Sequence, residues 1–184
     1  MATKQVLLGV ILVPTLWAAP TEAAGGEIHL RLKYSGSTVT REDSNHDGIK
    51  AGLGILTCES NLGRCSAQAV GEALSTGPGT CPNGHQGLTY TIMPGSGHGF
   101  TRFDKTGDML FGEIVSETAC YDISTGLLFK SGTDKITGGT GRFAGATGQT
   151  QFQGTQWLLY IDPEGNAFAA QSGTITGTIV LRHD

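Results

Sequence analysis

The chain has 184 residues with 12 basic and 16 acidic side chains, which gives a formal net charge of −4. The basic residues are scattered singly, and this excludes both the dense basic stripe of a nucleic-acid-binding protein and a polybasic membrane-surface patch. Glycine is the compositional outlier, at 29 residues without a Gly-X-Y period. The composition therefore excludes collagen and indicates a folded chain that is rich in turns and bulges.

The first 24 residues predict a cleaved signal peptide. Lys4 supplies a positive charge, residues 6–17 form an apolar run, and small residues follow as far as Ala24. The run is too short to cross a bilayer of about 30 Å as a helix, so an uncleaved anchor is the less favoured alternative. We expect an exported protein, periplasmic or extracellular, with one domain over residues 25–184 and no membrane span after cleavage.

An Asp-rich stretch follows the first predicted strand. Asp43, Asn45 and Asp47 lie at alternate positions before a glycine. Together with the backbone carbonyl of Ile49 they match the opening of a calcium loop. The position at which an EF-hand needs a bidentate Glu is Gly54, so an Asx-rich turn between two strands is the alternative. Apart from this half-motif for calcium, no cofactor is expected.

Alternation of apolar and polar residues dominates the rest of the chain and predicts an all-β fold. Residues 66–74 are ambiguous, because their alanines would tolerate a short helix, and residues 76–84 have the composition of a loop. Eight to ten short strands predict a single antiparallel β-barrel of about eight strands, with a lipocalin-like barrel or a sandwich as the alternative. Pairing the first strand with the last would close the barrel. The strands with the clearest pattern are 28–34, 88–92, 100–103, 109–115, 127–133, 156–161 and 173–182, and residues 149–155 are also strand-like.

All four cysteines, Cys58, Cys65, Cys81 and Cys120, lie in the predicted mature region. An even number of cysteines in an exported chain indicates disulfides, and four allow three pairings. The turn-rich segment 59–64 favours Cys58–Cys65, which leaves Cys81–Cys120 to close a longer loop. A zinc site is the alternative, but the sequence contains no CxxC pair.

Carboxylates are the remaining candidates for chemistry. Glu113 and Glu117 alternate with Met109 and Phe111, so one face of this strand could present acids and apolar ligand contacts to the barrel interior. Arg102 lies on the neighbouring predicted strand, where it could pair with either acid. The alternative is that the two glutamates face solvent or make a structural ion pair.

The most specific motif is the glycine-rich segment 136–148. A nucleotide-binding loop would join a strand to a helix, but strand-like residues follow here and no Gly-Lys-Ser/Thr is present. We therefore interpret Gly138, Gly139 and Gly141 as residues that allow positive φ angles in a tight turn, and Phe143 as a core anchor.

The pattern Gly-Gly-Thr-Gly-x-Phe-x-Gly-Ala-x-Gly at 138–148 resembles that of the dirigent and allene oxide cyclase superfamily. Residues 102–112 and 173–179 are similar to stretches in bacterial secreted proteins of this kind. The resemblance implies an eight-stranded antiparallel barrel with a hydrophobic central cavity. It also implies cofactor-free guidance of the cyclisation or radical coupling of small apolar molecules. No flanking motif matches the catalytic residues of the superfamily, so none is carried over.

Two functions remain. The favoured one is a secreted barrel that binds a small apolar molecule, with cyclase or isomerase activity as an extension. The alternative is a noncatalytic, disulfide-stabilised structural or surface-interaction protein. The sequence contains no Gly-x-Ser-x-Gly, HxH or HExxH motif, which argues against an enzyme, and it specifies no oligomeric state. A cavity of about 300 Å³ or more with convergent polar groups would favour the binding barrel.

Overall fold

The computed structural model describes residues 26–41 and 48–182. The signal peptide predicted at 1–24 lies outside these residues. No helix within the two ranges is long and apolar enough to cross a bilayer. They form nine strands and one short 3₁₀ helix, Gly141–Phe143. The strands are β1 (Glu27–Thr40), β2 (Ile49–Ser60), β3 (Gly63–Thr80), β4 (Gln86–Ile92), β5 (His98–Phe103), β6 (Met109–Asp122), β7 (Leu127–Gly139), β8 (Thr147–Ile161) and β9 (Ala167–Val180).

The strands close into one antiparallel ring. β9 pairs with β1 from Glu27 opposite Val180 to Thr40 opposite Ala167, which confirms the predicted closure. β4 and β5 share one position between β3 and β6, because β3 pairs with β4 through its second half and with β5 through its first half. The nine strands therefore occupy eight positions around the barrel, in agreement with the predicted all-β barrel of about eight strands.

The barrel has a closed end and an open end. The closed end carries the β2–β3, β5–β6 and β7–β8 connections, and the open end carries the β1–β2, β3–β4, β6–β7 and β8–β9 connections. Large side chains fill the closed end: Phe143 and Phe103 are almost fully buried, with ring centroids 5.1 Å apart. The Arg142 guanidinium lies over both rings, at 4.7 and 5.2 Å from their centroids. Burial of these rings makes the closed end the hydrophobic core.

The glycine-rich segment forms the closed-end turn between β7 and β8. Gly138 and Gly141 have φ angles of 146° and 55°, as expected for residues that allow positive φ, whereas Gly139 is not among the positive-φ glycines. A Cβ at Gly141 would collide with the carboxylate of Asp108, so this turn requires glycine for space as well as for its backbone angle. Phe143 is the buried anchor that the motif predicts.

Alternation of apolar and polar residues does not predict β2 or most of β3. β3 is the longest strand of the described residues, at 18 residues. Most inward positions here are glycines and alanines, and the larger apolar residues Leu53, Ile55 and Val70 are exposed. The ordinary signal of apolar-in and polar-out is therefore inverted. Residues 66–74, whose alanines would tolerate a helix, lie in β3, and most of the loop-like stretch 76–84 continues that strand to Thr80.

Two disulfides tie the barrel, one near each end. Cys58–Cys65 joins directly opposed residues of β2 and β3 near the closed end. Cys81–Cys120 joins the β3–β4 connection to β6 near the open end. This is the pairing that the sequence favours.

Candidate functional site

The open half of the barrel encloses a cavity of about 340 Å³. Its wall exists because the inward positions of two adjacent strands carry almost no side chain: Gly52 and Gly54 on β2, and Ala69, Gly71 and Ala73 on β3. The cavity extends to the β6–β7 and β8–β9 connections, and the wall is mainly apolar. A cavity of this size suits a small organic ligand.

A second cavity of about 140 Å³ lies towards the closed end. The two cavities share a wall formed by Leu56, Ala69, Ile114, Glu117 and Lys130. The partition thus combines three apolar residues with an acid and a base. Any molecule in the larger cavity would meet this acid and this base at its inner end.

Lys130 and Gln171 form the centre of a polar floor beneath the larger cavity. The Lys130 Nζ donates a hydrogen bond of 2.8 Å to Gln171 Oε1, and Gln156 Nε2 donates to the same oxygen at 3.3 Å. Gln171 Nε2 in turn donates to the backbone carbonyl of Ser37 at 3.3 Å. Within the part of the chain that the structure describes, no carboxylate oxygen comes within 4.0 Å of Nζ. An ammonium group has three donors, so two remain for a ligand or water.

Burial shifts the pKa values of three ionisable side chains at and below the floor. Burial raises the pKa of Glu117, and the nearby Lys130 charge opposes the change. Burial also raises the pKa of Asp134 to about 6, against a hydrogen bond from Thr150. Burial lowers the pKa of Lys130, while the Glu117 and Asp134 charges oppose that change. Desolvation is thus the first cause of the pKa shift of all three groups, and in each case an opposite charge partly offsets it.

Tyr34 completes the polar interior on the opposite wall. It lies across Gly154 and Gly173, where any Cβ would collide with its side chain. Burial is the main cause that raises the pKa of Tyr34 to about 12, and the charges of Glu117 and Asp134 add to the effect. Tyr34 is therefore a neutral hydroxyl in the smaller cavity.

Glu113 and Glu117 do not share a face, which corrects the sequence interpretation. The register of β6 against β7 shifts between Ile114 and Ser116, so a bulge reverses the inward phase of the strand. Glu117 consequently lines both cavities, whereas Glu113 lines neither. The sequence pattern places both glutamates on one face of the strand, but the extra residue in β6 puts them on different faces.

The other candidates on β5 and β6 lie mostly outside the cavities. Arg102 is exposed, sits opposite Met109 in the pairing of β5 with β6, and makes no ion pair with Glu113 or Glu117. Met109 lines neither cavity. Phe111 borders the smaller cavity but is 37% exposed. The expected pairing of Arg102 with a glutamate is therefore wrong, because the bulge places Glu117 in the interior while Arg102 faces outward.

Three of the calcium candidates, Asp43, Asn45 and Asp47, lie outside the described residues. The fourth, Ile49, begins β2 at the open end. In residues 26–41 and 48–182, no group of three or more His, Cys, Asp and Glu side chains is placed to hold a metal ion. The calcium loop stays a prediction.

A polar cluster around Asp122 ties two open-end connections together. Its buried carboxylate accepts hydrogen bonds from Ser124 Oγ, Thr125 Oγ1 and Asn83 Nδ2 at 2.6–2.7 Å, and His85 Nδ1 lies 2.8 Å away. These contacts, Ser124 first, hold the pKa of Asp122 well below its usual range. The same nitrogen of His85 faces both Asp122 and Ser124, at 3.2 Å from the latter. A nucleophilic triad uses both ring nitrogens, so this cluster is structural.

The sequence interpretation misses Lys130, Asp134, Gln156 and Gln171. A signal for them exists, because Lys130 and Asp134 stand in phase with Ile136 on one face of β7, and Gln171 stands in phase with Ile175 on β9. A charged or amide side chain in the phase of buried residues indicates an interior polar group.

Comparison with known proteins adds little detail. No protein-family model matches the chain, and no curated protein matches it. Among solved structures, the chain is similar to a pterocarpan synthase dirigent protein, with 15% sequence identity over 87% of this chain and 88% of that chain, and a TM-score of 0.37.

Proposed function

We propose that this protein is an exported barrel that binds a small apolar molecule in its open half. The observation that carries the proposal is the cavity of about 340 Å³, whose wall of small and apolar residues ends on a polar floor. A filled interior, such as the one at the closed end, would have argued for the structural alternative. The two disulfides support export to an oxidising compartment.

The floor suggests the chemistry of the ligand. An apolar body would occupy the glycine- and alanine-lined wall, and a hydrogen-bond acceptor at one end would reach the spare donors of Lys130. The resemblance of residues 138–148 to the dirigent and allene oxide cyclase superfamily is in keeping with such a ligand, and we propose membership of that superfamily on this motif.

Blocking the cavity tests the binding proposal. A Cβ at Gly52 has no neighbour closer than 3.9 Å, so Gly52→Phe should place its ring in the cavity with little strain on the wall. We expect affinity for the neutral fluorophore Nile red to fall at least about tenfold. Leu53→Phe is the matched control, since residue 53 is adjacent and 39% exposed. Equal binding by the two variants, with both folded by circular dichroism, would place the dye elsewhere and refute the proposal.

The role of Lys130 can be separated with paired probes. Dansylundecanoic acid and its methyl ester share an apolar body and differ in the acceptor at one end. Lys130→Met should weaken binding of the acid more than binding of the ester, because only the acid gains a charge-assisted hydrogen bond. An equal loss for both probes would mean that Lys130 only shapes the cavity.

A second candidate function is cofactor-free proton transfer, as in a cyclase or isomerase. The raised pKa values of Glu117 and Asp134 beside the cavities favour it. Once a ligand is identified, Glu117→Gln should abolish its turnover while leaving its binding within a few-fold. Unchanged turnover in the folded variant would leave a binding protein without this chemistry.

A further inference from the structure

Lys130 places a primary amine at the inner end of the larger cavity. Its side chain lies on the partition and lines both cavities, and the only other ionisable side chain of the partition is Glu117. A molecule with an apolar body that enters from the open end therefore meets this amine with its leading end. The inference drawn here rests on the proposed function, since it needs a small molecule in that cavity.

The contacts of the Lys130 Nζ suit a neutral amine as well as an ammonium group. Nζ donates to Gln171 Oε1 at 2.8 Å, and this oxygen belongs to an uncharged amide. Gln156 donates to the same oxygen, and Gln171 Nε2 donates to the Ser37 carbonyl, so the amide is held in this orientation. Among residues 26–41 and 48–182, no carboxylate oxygen lies within 4.0 Å of Nζ. No direct ion pair therefore holds the proton on Nζ, and a neutral amine there would keep its lone pair free for a ligand.

Burial favours the nucleophilic form of this amine. It lowers the pKa of Lys130, and the charges of Glu117 and Asp134 oppose the change. The neutral amine is therefore more populated at neutral pH than on an exposed lysine. Desolvation in an apolar pocket is one of the ordinary ways in which a protein activates a lysine as a nucleophile.

Glu117 supplies an acid on the same partition. Burial raises the pKa of its carboxyl group, and the Lys130 charge opposes this change. A protonated carboxyl group can give its proton to a leaving hydroxyl group. The carboxylate that remains can then stabilise a cation on Lys130.

The charges of the interior favour a carbonyl compound as the ligand. Glu117 and Asp134 are two acids near a single base, Lys130. An aldehyde or ketone adds no further negative charge to this interior, and its condensation with the amine leaves a cation that both acids attract. The apolar body of the ligand would lie along the wall that contains Gly52 and Ala69.

We propose that Lys130 forms an imine with an apolar aldehyde or ketone bound in the larger cavity. Nζ attacks the carbonyl carbon, a C–N bond forms, and one amine proton passes to the carbonyl oxygen. Glu117 gives its proton to the resulting hydroxyl group, the C–O bond breaks, and water leaves. The product is a protonated imine on Lys130 with the Glu117 carboxylate as its counterion. Atoms and charge balance without an oxidant, a reductant or a further reactant.

Lys50 provides a comparison within the same cavity. It is the second residue of β2, at the open end, and its side chain lines the larger cavity only. Lys130 lies at the inner end, on the partition that also carries Glu117. The lysine that reacts therefore distinguishes a reaction at the floor from unspecific reaction of an amine near the mouth.

Reductive trapping with decanal tests the proposal. Decanal is saturated, so it cannot react by conjugate addition, and 1-decanol is the matched probe that cannot form an imine. With limiting decanal and sodium cyanoborohydride at pH 7, we expect the intact mass of the parent protein to increase by one decyl group in place of one hydrogen. Peptide mapping should place this group on Lys130. The mapping is made on the parent protein and so does not depend on the folding of any variant.

Two variants serve as the matched pair for trapping. Lys130→Arg keeps a positive charge but removes the amine, and we expect the yield of the adduct to fall at least about tenfold. Lys135→Arg changes an exposed lysine of the same strand that lines neither cavity, and it should be trapped like the parent.

The role of Glu117 is read from the rate of trapping. Glu117→Gln should slow the trapping of decanal by about tenfold or more, because the amide cannot give a proton to the leaving hydroxyl group. Its affinity for 1-decanol, measured by displacement of Nile red, should stay within a few-fold of the parent value. An unchanged rate in the folded variant would contradict the assignment of Glu117 as the acid.

Displacement of Nile red separates failure of this inference from failure of the proposed function. If decanal and 1-decanol both displace the dye but Lys130 carries no decyl group after reduction, the cavity binds ligands and the imine is refuted. Preferred labelling of Lys50, or equal labelling of Lys130 and the exposed Lys135, would refute it too. If neither probe displaces the dye and no adduct forms on Lys130, both proposals fail.

Discussion

The two halves of this barrel place large and small side chains in opposite ways. At the closed end, Phe103 and Phe143 point inward and pack against each other. At the open end, glycines and alanines point inward, and Leu53 points outward. The same antiparallel ring thus has a packed core at one end and a cavity at the other. Stability and the proposed function are therefore assigned to opposite ends of the barrel axis.

Removal of a core side chain at the closed end should cost the most stability. Phe143→Ala should lower the free energy of unfolding by about 3–5 kcal/mol, because it removes a fully buried ring from a packed site and leaves a void. Leu158→Ala, at a residue of the open end that is 37% exposed, should cost no more than about 1 kcal/mol. Urea unfolding of both variants measures the difference. Equal losses would show that the open end is as much a core as the closed end.

The disulfides offer a second comparison between the ends. Cys81→Ala/Cys120→Ala opens a separation of 39 residues, for which the chain-entropy model gives about 4 kcal/mol, and Cys58→Ala/Cys65→Ala opens one of 7 residues, for which it gives about 2.5 kcal/mol. We expect the open-end pair to stabilise the fold more. Urea midpoints in the reverse order would mean that packing of Cys58 and Cys65 in the core outweighs the difference in loop length.

Acidification should weaken the open-end connections through Asp122. Its hydrogen bonds lower the pKa in the folded state, so their stabilisation is present above the pKa of the unfolded chain, at about 4, and is lost as the pH falls further. Asp122→Asn should therefore be less stable than the parent at pH 7, and the difference should shrink at pH 3. Urea unfolding at the two pH values measures it, and a gap that stays constant with pH would contradict this account.

Asp134 should show the opposite pH dependence, with a smaller effect. Burial raises its pKa to about 6, so the folded state keeps a proton that the unfolded chain releases near pH 4, and stability falls as the pH rises between these values. Asp134→Asn should raise the free energy of unfolding by on the order of 1–2 kcal/mol at pH 7.5 and leave it nearly unchanged at pH 4. A destabilised variant at pH 7.5 would show that the carboxylate form of Asp134 is needed by the fold.

Sequence pattern predicts the parts of the fold that follow ordinary burial rules. β1 and β9 alternate cleanly, and their pairing closes the barrel as expected. Phe143 stands among glycines that only a tight turn explains, and it is the core anchor. The pattern fails at β2 and β3, because a cavity wall needs small inward residues, and Gly52 or Ala69 gives no apolar signal. The parts that depart from the rule are those that line the larger cavity.

The candidate site is less predictable for two physical reasons. The single extra residue in β6 between Ile114 and Ser116 separates Glu113 from Glu117, and nothing in the local composition marks the bulge. The polar floor joins Lys130 of β7 to Gln171 of β9, two residues 41 positions apart that meet because β8 pairs with both strands. A one-dimensional pattern assigns each of them to the inward face but cannot show that they meet.

The measurement that tests the central claim most directly is native mass spectrometry of the protein recovered from an exporting host, together with Gly52→Phe and Leu53→Phe. The account predicts that the parent and Leu53→Phe retain an apolar small molecule, identified by fragmentation, and that Gly52→Phe carries none. Parent protein that is empty and also fails to bind Nile red would contradict the claim that the open half of the barrel is a ligand site.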